Sequence, residues 1–201
     1  TTAMSYTNTG LTTGKTYYYK VRAYCICDTA TTYGSYSSIK SAKPVPSPPT
    51  LMAISSGYTS VKLTWTKVTG ATGYKLYRAT SKTGTYSAVK TTTATSYTNT
   101  GLNTGKYYYY KVRAYCVAGS TTTYGSYSSY KYAKPVPAAP TSVKAVRASS
   151  KSIKVTWGAV SGATKYQVYR AASKTGTYSR VATTANRYFT NTGLTTGKYY
   201  Y

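Results

Sequence analysis

The sequence predicts an all-β protein built from tandem antiparallel β-sandwiches. Three observations predict this fold class: a long segment recurs along the chain, apolar and polar residues alternate within each recurrence, and the prolines are confined to two short stretches. Strict alternation is typical of strands that are buried on one side, whereas a helix places its apolar residues three and four positions apart. No segment has that helical spacing.

The distance between successive copies is long enough for each repeat to be a domain. "SYTNTGLTTGKTYYYKVRAYC" at 5–25 returns as "SYTNTGLNTGKYYYYKVRAYC" at 96–116, and "TNTGLTTGKYYY" at 190–201 begins a third copy. The first glycine of these copies, at 10, 101 and 193, recurs after 91 and then 92 residues (101 − 10 and 193 − 101). A fixed period of this kind indicates serial structural units.

The prolines mark the boundaries of the units. All seven lie in "KPVPSPPT" (43–50) and "KPVPAAPT" (134–141). Proline cannot donate to a strand ladder, and dense prolines favour an extended chain, so both stretches are expected to be semi-rigid joints. We therefore predict the C-terminal part of one repeat at 1–45, a complete repeat at 46–137 and the N-terminal part of a third at 138–201.

Within the complete repeat, the apolar positions follow the period of strands. Val61, Leu63 and Trp65 alternate with polar residues, and "SKTGTY" at 81–86 has the composition of a turn between two extended runs. About seven short strands in a unit of this length describe a two-sheet antiparallel sandwich.

The composition argues against an enzyme. Lys and Arg total 26, Asp28 is the single acidic residue and histidine is absent, which gives a net charge of +25. Acid–base and nucleophilic catalysis need interacting sets of titratable groups, and a structural zinc site needs four ligands where this chain has three thiols. We expect no catalysis, no cofactor and no metal site. No apolar run is long enough to predict a transmembrane segment.

At this point the residues resemble a known family. A tryptophan in the second strand, then "GYKLYR" (73–78), then "LNTGKYYYYKVRA" (102–114) resemble the fibronectin type III fold, an immunoglobulin-like sandwich. More narrowly, they resemble the tandem repeats of bacterial secreted and cell-surface proteins. The family serves as spacer, adhesion module and enzyme accessory, so the resemblance implies the fold and leaves the function open.

The resemblance also assigns part of the tyrosine run. It implies that Tyr108 is the tyrosine-corner residue, with a buried ring and a hydroxyl bonded to nearby backbone, and that Tyr17 and Tyr200 occupy the same position in the flanking copies. The predicted core residues are Trp65, Tyr74, Leu76, Tyr108, Tyr110 and Val112, with Trp157, Tyr166 and Val168 in the next copy.

Strand alternation places the other residues of this run outward. Tyr109, Lys111, Arg113 and Tyr115 are the candidate surface-contact residues, suited to stacking on sugar rings, bases or a neighbouring domain. The alternative, which we favour, is that they are strand-forming residues without a ligand, because tyrosine suits half-exposed strands.

The positive charge suggests a polyanionic partner such as an anionic wall polymer or polysaccharide. No helix-turn-helix, RNP or zinc-finger signature is present, so we expect no sequence-specific nucleic-acid binding. The resemblance implies Asp or Glu at positions where this chain has Asn, Thr, Ser or Ala, as in the loops "TNTGL" and "GATGY". The alternative to a polyanionic partner is that the true chain has acidic residues there, in which case the net charge says little about partners. Peptide mass spectrometry across these loops tests the charge directly, since acids there would remove the argument for a polyanion.

The cysteines are candidates for intermolecular pairing. Cys25 and Cys116 are equivalent positions and Cys27 is additional, so the complete repeat has one cysteine and cannot form an internal disulfide. An odd cysteine in an extracellular protein suggests pairing between chains. The alternative is that these thiols are small buried apolar groups.

The two ends of the sequence lie inside repeats, which leaves two expectations. Either the chain belongs to a much longer repeat protein, or subunits assemble head to tail, with residues 1–45 of one chain completing 138–201 of the next by strand addition. Residues 8–19 duplicate 191–201, which a complementing strand would not need, so the longer protein is favoured.

The function expected from these observations is structural. We expect an extracellular bacterial repeat protein that forms a cell-surface stalk or filament, with copies of itself as partners through end-to-end or lateral contacts. The first alternative is an adhesion module for anionic wall polymer or glycan. A third class, an accessory domain of a secreted glycosidase, would need a catalytic domain elsewhere in the same gene.

Overall fold

The structure, a computed structural model, describes residues 3–201 except for the side chain of Cys27, and its regular elements are all strands. In chain order these are β1 Tyr17–Tyr19, β2 Tyr24–Cys27, β3 Ala30–Tyr33, β4 Lys40–Ala42, β5 Leu51–Gly57, β6 Ser60–Trp65, β7 Gly73–Ala79, β8 Ser87–Thr92, β9 Ser96–Asn99, β10 Tyr108–Ala118, β11 Thr121–Tyr124, β12 Lys131–Ala133, β13 Lys144–Ser149, β14 Ser152–Thr156, β15 Tyr166–Arg170, β16 Ser179–Thr184 and β17 Tyr188–Asn191.

These residues divide into two compact units. One consists of the chain up to Ile54 together with Lys62–Thr98 and Tyr107–Ala133. The other consists of Ser55–Val61, Asn99–Lys106 and Lys134–Tyr201. Both predicted proline joints lie outside the strands, since residues 43–50 and 134–141 contain no regular element.

The complete repeat has the predicted two antiparallel sheets. One sheet has the order β5-β6-β9, and the other has the order β11-β10-β7-β8 with β12 also paired to β10. The repeat has eight strands instead of about seven because its last edge strand is split into β11 and β12.

A serine causes this split. The Ser128 amide donates to the Val112 carbonyl (2.8 Å), while the Ser128 hydroxyl accepts from the Val112 amide (3.1 Å). The Ser128 hydroxyl oxygen therefore takes the place of one backbone carbonyl in the hydrogen-bond ladder along β10. The first copy repeats the arrangement between Ser37 and Val21.

The predicted core of the complete repeat is buried. Tyr110 and Val112 on β10 have no exposed surface, and Leu76 on β7 is almost completely enclosed. Trp65, Tyr74 and Tyr108 are buried too. The rings of Trp65 and Tyr74 pack edge to face, with their centroids 5.6 Å apart. Such aromatic burial is among the larger favourable contributions available to a small sandwich.

The prediction for the third copy was only partly right. Trp157 is buried, but Tyr166 and Val168 on β15 are half-buried. The reason is the number of neighbouring strands. β7 lies between β10 and β8, whereas β15 pairs with β16 alone among the strands that the structure describes.

The tyrosine-corner hydrogen bond is present in the first and third copies. The Tyr17 hydroxyl accepts a hydrogen bond from the Thr12 amide (3.0 Å), and the Tyr200 hydroxyl accepts one from the Thr195 amide (3.1 Å). These bonds from the loop lower the pKa of both phenols, because a hydrogen-bond donor stabilises the phenolate. The ring of Tyr108 is buried, as expected.

Candidate functional site

Strand β10 separates two chemically different faces. Tyr108, Tyr110, Val112, Ala114 and Cys116 are buried, and the residues between them are half-buried on the opposite side. The candidate surface-contact residues Tyr109, Lys111, Arg113 and Tyr115 therefore share the outer face, as the alternation predicts. Whether this face binds a ligand stays a prediction.

Arg113 is held by tyrosines of the same sheet. Its guanidinium donates hydrogen bonds of 2.7 and 3.1 Å to the Tyr77 hydroxyl. It also lies 4.0 Å from the ring centroid of Tyr124 and 4.8 Å from that of Tyr127. A cation over an aromatic face is attracted by the ring quadrupole. Two hydrogen-bond donors of the Arg113 guanidinium, and its contact with aromatic rings, are therefore already engaged within the protein.

Lys111 is held in a similar way. Its Nζ lies 4.4 Å from the ring centroid of Tyr86 and 6.0 Å from that of Tyr127. Burial raises the pKa of both phenols, so the rings meet the ammonium group as neutral π faces and not as phenolates. Tyr115 packs on Tyr124, with the ring centroids 5.7 Å apart.

Tyr109 belongs to an aromatic cluster at the beginning of β10. Its ring centroid is 5.5 Å from that of Tyr132 and 6.0 Å from that of Tyr130, and Tyr107 packs on Tyr132 at 5.6 Å. The planes of these three pairs meet at 34°, 49° and 70°. The rings are tilted against one another, so the cluster is not a flat stacking platform.

The first copy has the same arrangement of basic side chains over tyrosine rings. Arg22 lies 3.8 Å from the ring centroid of Tyr33 and 4.9 Å from that of Tyr36, and Lys20 lies 4.0 Å from that of Tyr36. The sequence analysis missed these aromatic partners. The sequence could have indicated them, because "YGSYSS" recurs at 33–38 and 124–129. The separation is the same 91 residues that separates the two copies of "KVRAYC" at 20–25 and 111–116.

The three cysteines lie in different surroundings. Cys25 is exposed and Cys116 is buried. Cys27 is the last residue of β2, and its side chain lies outside the described part of the chain. Intermolecular pairing stays a prediction for all three, and the buried thiol would have to be uncovered first.

Each proline joint is tied to the preceding repeat by a glycine. The Gly14 amide donates to the Pro44 carbonyl (2.8 Å), and the Gly105 amide donates to the Pro135 carbonyl (2.9 Å). Both glycines have a positive φ, +86° and +78°, which other residues adopt only with strain. The same bond thus recurs at equivalent positions of two copies.

Successive repeats also contact one another directly. The Lys43 ammonium group donates to the Thr123 hydroxyl (3.1 Å). A Cβ placed on Gly70 would lie 3.3 Å from the Cβ of Thr13, and one placed on Gly14 would lie 2.9 Å from the Cys116 sulfur. In the second unit, Gly162 packs in the same close manner against the ring of Tyr58.

A groove of about 620 Å³ lies in the third copy, lined by its core residues Trp157, Tyr166 and Val168 among others. It lies along β15, and its lining contains no acidic residue, histidine or cysteine. Among the side chains that the structure describes, no three from His, Cys, Asp or Glu come together. The described chain also contains no helix with the length and hydropathy of a membrane span.

Comparison with known proteins agrees with this geometry. The family model of the fibronectin type III domain matches residues 46–129. Exoglucanase B of Cellulomonas fimi is 35% identical over 221 aligned residues, which cover 99% of this chain and 19% of that protein. The chain therefore spans about a fifth of the length of this relative.

Two solved structures are also similar. A Fn3-like protein from Clostridium thermocellum is 35% identical over 45% of this chain and 94% of its own, with a TM-score of 0.39. A segment of two fibronectin type III domains from chicken tenascin is 19% identical over 76% of this chain and 86% of its own, with a TM-score of 0.45. Domains of this type are generally non-catalytic modules. By its domain match over residues 46–129 and its all-β sandwich architecture, the chain contains fibronectin type III-like domains.

Proposed function

We propose that this chain is a structural spacer of an extracellular bacterial protein, with serial fibronectin type III domains that form a surface stalk or filament. The observation that carries the proposal is the recurring joint, in which a loop glycine bonds the first proline of each joint. Proline stiffness together with this bond restricts the motion of one domain relative to the next. In such a spacer, the number of copies sets the reach.

The surroundings of the first joint support this function. Thr13 and Gly14 of one repeat contact Gly70 and Cys116 of the next, and Lys43 bonds Thr123. A flexible linker would leave these loops apart. Relatedness to a bacterial exoglucanase supports an extracellular location.

The spacer proposal can be tested with spin labels on either side of the first joint. Cysteines replace the exposed Ser38 and Ser87, with the three native cysteines removed, and the label-to-label distance distribution is measured. We expect a narrow distribution. A matched control inserts a Gly-Ser linker between Val45 and Pro46, which should broaden it. A native distribution as broad as that of the control would contradict a stiff spacer.

A second candidate function is that of an accessory module of a secreted glycosidase. The observation in its favour is the 35% identity to the exoglucanase, which extends over 99% of this chain. Peptide mapping of the native protein distinguishes the two, since an accessory module is covalently continuous with a catalytic domain and a stalk continues into further repeats.

Adhesion to an anionic wall polymer or glycan is the remaining alternative. The tyrosine partners of Lys111 and Arg113 reduce the capacity of this face for anions, although other lysines are exposed. Retention on an anionic polysaccharide that falls with increasing salt would support adhesion. Absence of retention at low salt would exclude it.

A further inference from the structure

The aromatic cluster at the beginning of β10 has a chemical property that a spacer does not need. Tyr107 and Tyr132 are 47% and 54% exposed, and Tyr132 contacts the rings of both Tyr107 and Tyr109. Phenols are oxidisable by one-electron oxidants. The cluster therefore holds oxidisable groups in mutual contact, with solvent access through Tyr132.

We propose that Tyr109 and Tyr132 are an oxidative cross-linking site, at which a peroxidase with hydrogen peroxide forms an intramolecular dityrosine. The two residues are direct partners in the antiparallel register of β10 and β12. Their ring centroids are 5.5 Å apart, the shortest distance in the cluster, and their planes differ by 34°, the smallest angle in it.

The reaction balances with peroxide as the oxidant. Each phenol loses one electron and its hydroxyl proton and becomes a phenoxyl radical. The two radicals join through one ring carbon of each residue that is ortho to the hydroxyl (a Cε atom), which forms one C–C bond. The hydrogen on each of these carbons then moves to the oxygen of its own ring and restores the phenol. Hydrogen peroxide takes up the two electrons and two protons and is reduced to two waters.

Proximity favours this product over links between chains. Coupling of two rings that are already in contact is a unimolecular event, whereas coupling between chains needs an encounter of two radicals in solution. The cross-link would fasten β12, a strand of three residues, to β10 directly before the second proline joint.

The chain contains its own control. Tyr18 is the equivalent of Tyr109 in the first copy (109 − 18 = 91) and is 73% exposed, so an oxidant can reach it. In the same register, however, it faces Ser41. The first copy should therefore form no such link, and the substitution Ser41→Tyr should create one.

The experiment treats the 201-residue chain with peroxidase and limiting peroxide, and maps the tryptic peptides of the monomer. The expected product joins peptides 107–111 and 132–144, with two hydrogens fewer than their sum, because trypsin does not cleave before Pro135. Its yield should not change on dilution. Tyr132→Phe or Tyr109→Phe should lower it by about tenfold or more, while Tyr107→Phe should leave it in place. Ser41→Tyr should add a link between peptides 16–20 and 41–62.

Three results would overturn the proposal. One is a product that persists in Tyr132→Phe or disappears only in Tyr107→Phe. Another is dityrosine confined to dimers, with a yield that rises with protein concentration. The third is a Ser41→Tyr variant that unfolds at the wild-type urea midpoint and gives no new link.

Discussion

Arg113 donates two hydrogen bonds to the hydroxyl of Tyr77, a residue of the neighbouring strand. The pair lies on the outer face, where an arginine could otherwise offer its charge to a ligand. The Tyr77 hydroxyl and two further tyrosine rings hold the guanidinium. Arg113 therefore links neighbouring strands of its own sheet, and fewer of its donors remain for a ligand.

Removing the Tyr77 hydroxyl should therefore destabilise the complete repeat. Tyr77→Phe keeps the ring and removes the acceptor, so we expect a loss of about 1.5–3 kcal/mol in the free energy of unfolding, typical of a hydrogen bond to a charged group. Urea unfolding measures it. The matched control is Tyr169→Phe, because Tyr169 is the equivalent residue of the third copy and bonds Gln167 instead. Equal losses in both variants would argue against a specific role for Arg113.

The buried phenol of Tyr110 should make the protein sensitive to alkaline pH. Burial raises the pKa of Tyr110 above its ordinary value of 10.0. As pH rises beyond 10.0, the unfolded chain therefore releases this proton while the folded chain retains it, so the free energy of unfolding falls. One such group contributes about 1.4 kcal/mol per pH unit.

Urea midpoints measured across this alkaline range test the effect. Tyr110→Phe should make the fall of the free energy of unfolding with pH less steep. Tyr18→Phe, which alters an exposed ring, should leave that fall unchanged. A slope unchanged in Tyr110→Phe would show that the alkaline loss arises elsewhere.

Cys116 should report on the first joint. A Cβ on Gly14 would collide with the Cys116 sulfur, so Gly14→Ala should open the contact and expose the thiol. We expect alkylation of Cys116 to become several-fold faster, with the exposed Cys25 as an internal reference for the reagent. Gly10→Ala is the matched control, since Gly10 has a similar positive φ of +73° and a Cβ there would meet nothing within 4 Å. Faster alkylation in both variants would indicate general destabilisation.

Much of the fold could be predicted because the side-chain period of a strand is two. The faces of β10 follow from alternation alone, and the proline joints follow from the missing amide donor. The aromatic partners of Arg113 could not be predicted in this way, because they depend on the register of β7 and of the segment around Tyr127 against β10. The burial of Tyr166 and Val168 was overestimated for a related reason. An apolar pattern indicates which face turns inward, but it does not show whether a neighbouring strand covers that face.

The most direct measurement of the central claim is disulfide formation across the first joint. Thr13 and Gly70 belong to successive repeats, and their Cβ positions would be 3.3 Å apart, close to the separation of about 3.8 Å in disulfides. In a chain without its native cysteines, Thr13→Cys combined with Gly70→Cys should oxidise readily in air as a monomer. The pair Thr13→Cys and Gly119→Cys should not, because a Cβ on Gly119 meets nothing within 4 Å. Rapid closure of the first pair alone is the predicted result; equal and slow oxidation of both pairs would mean that the repeats do not pack on one another and would contradict the spacer.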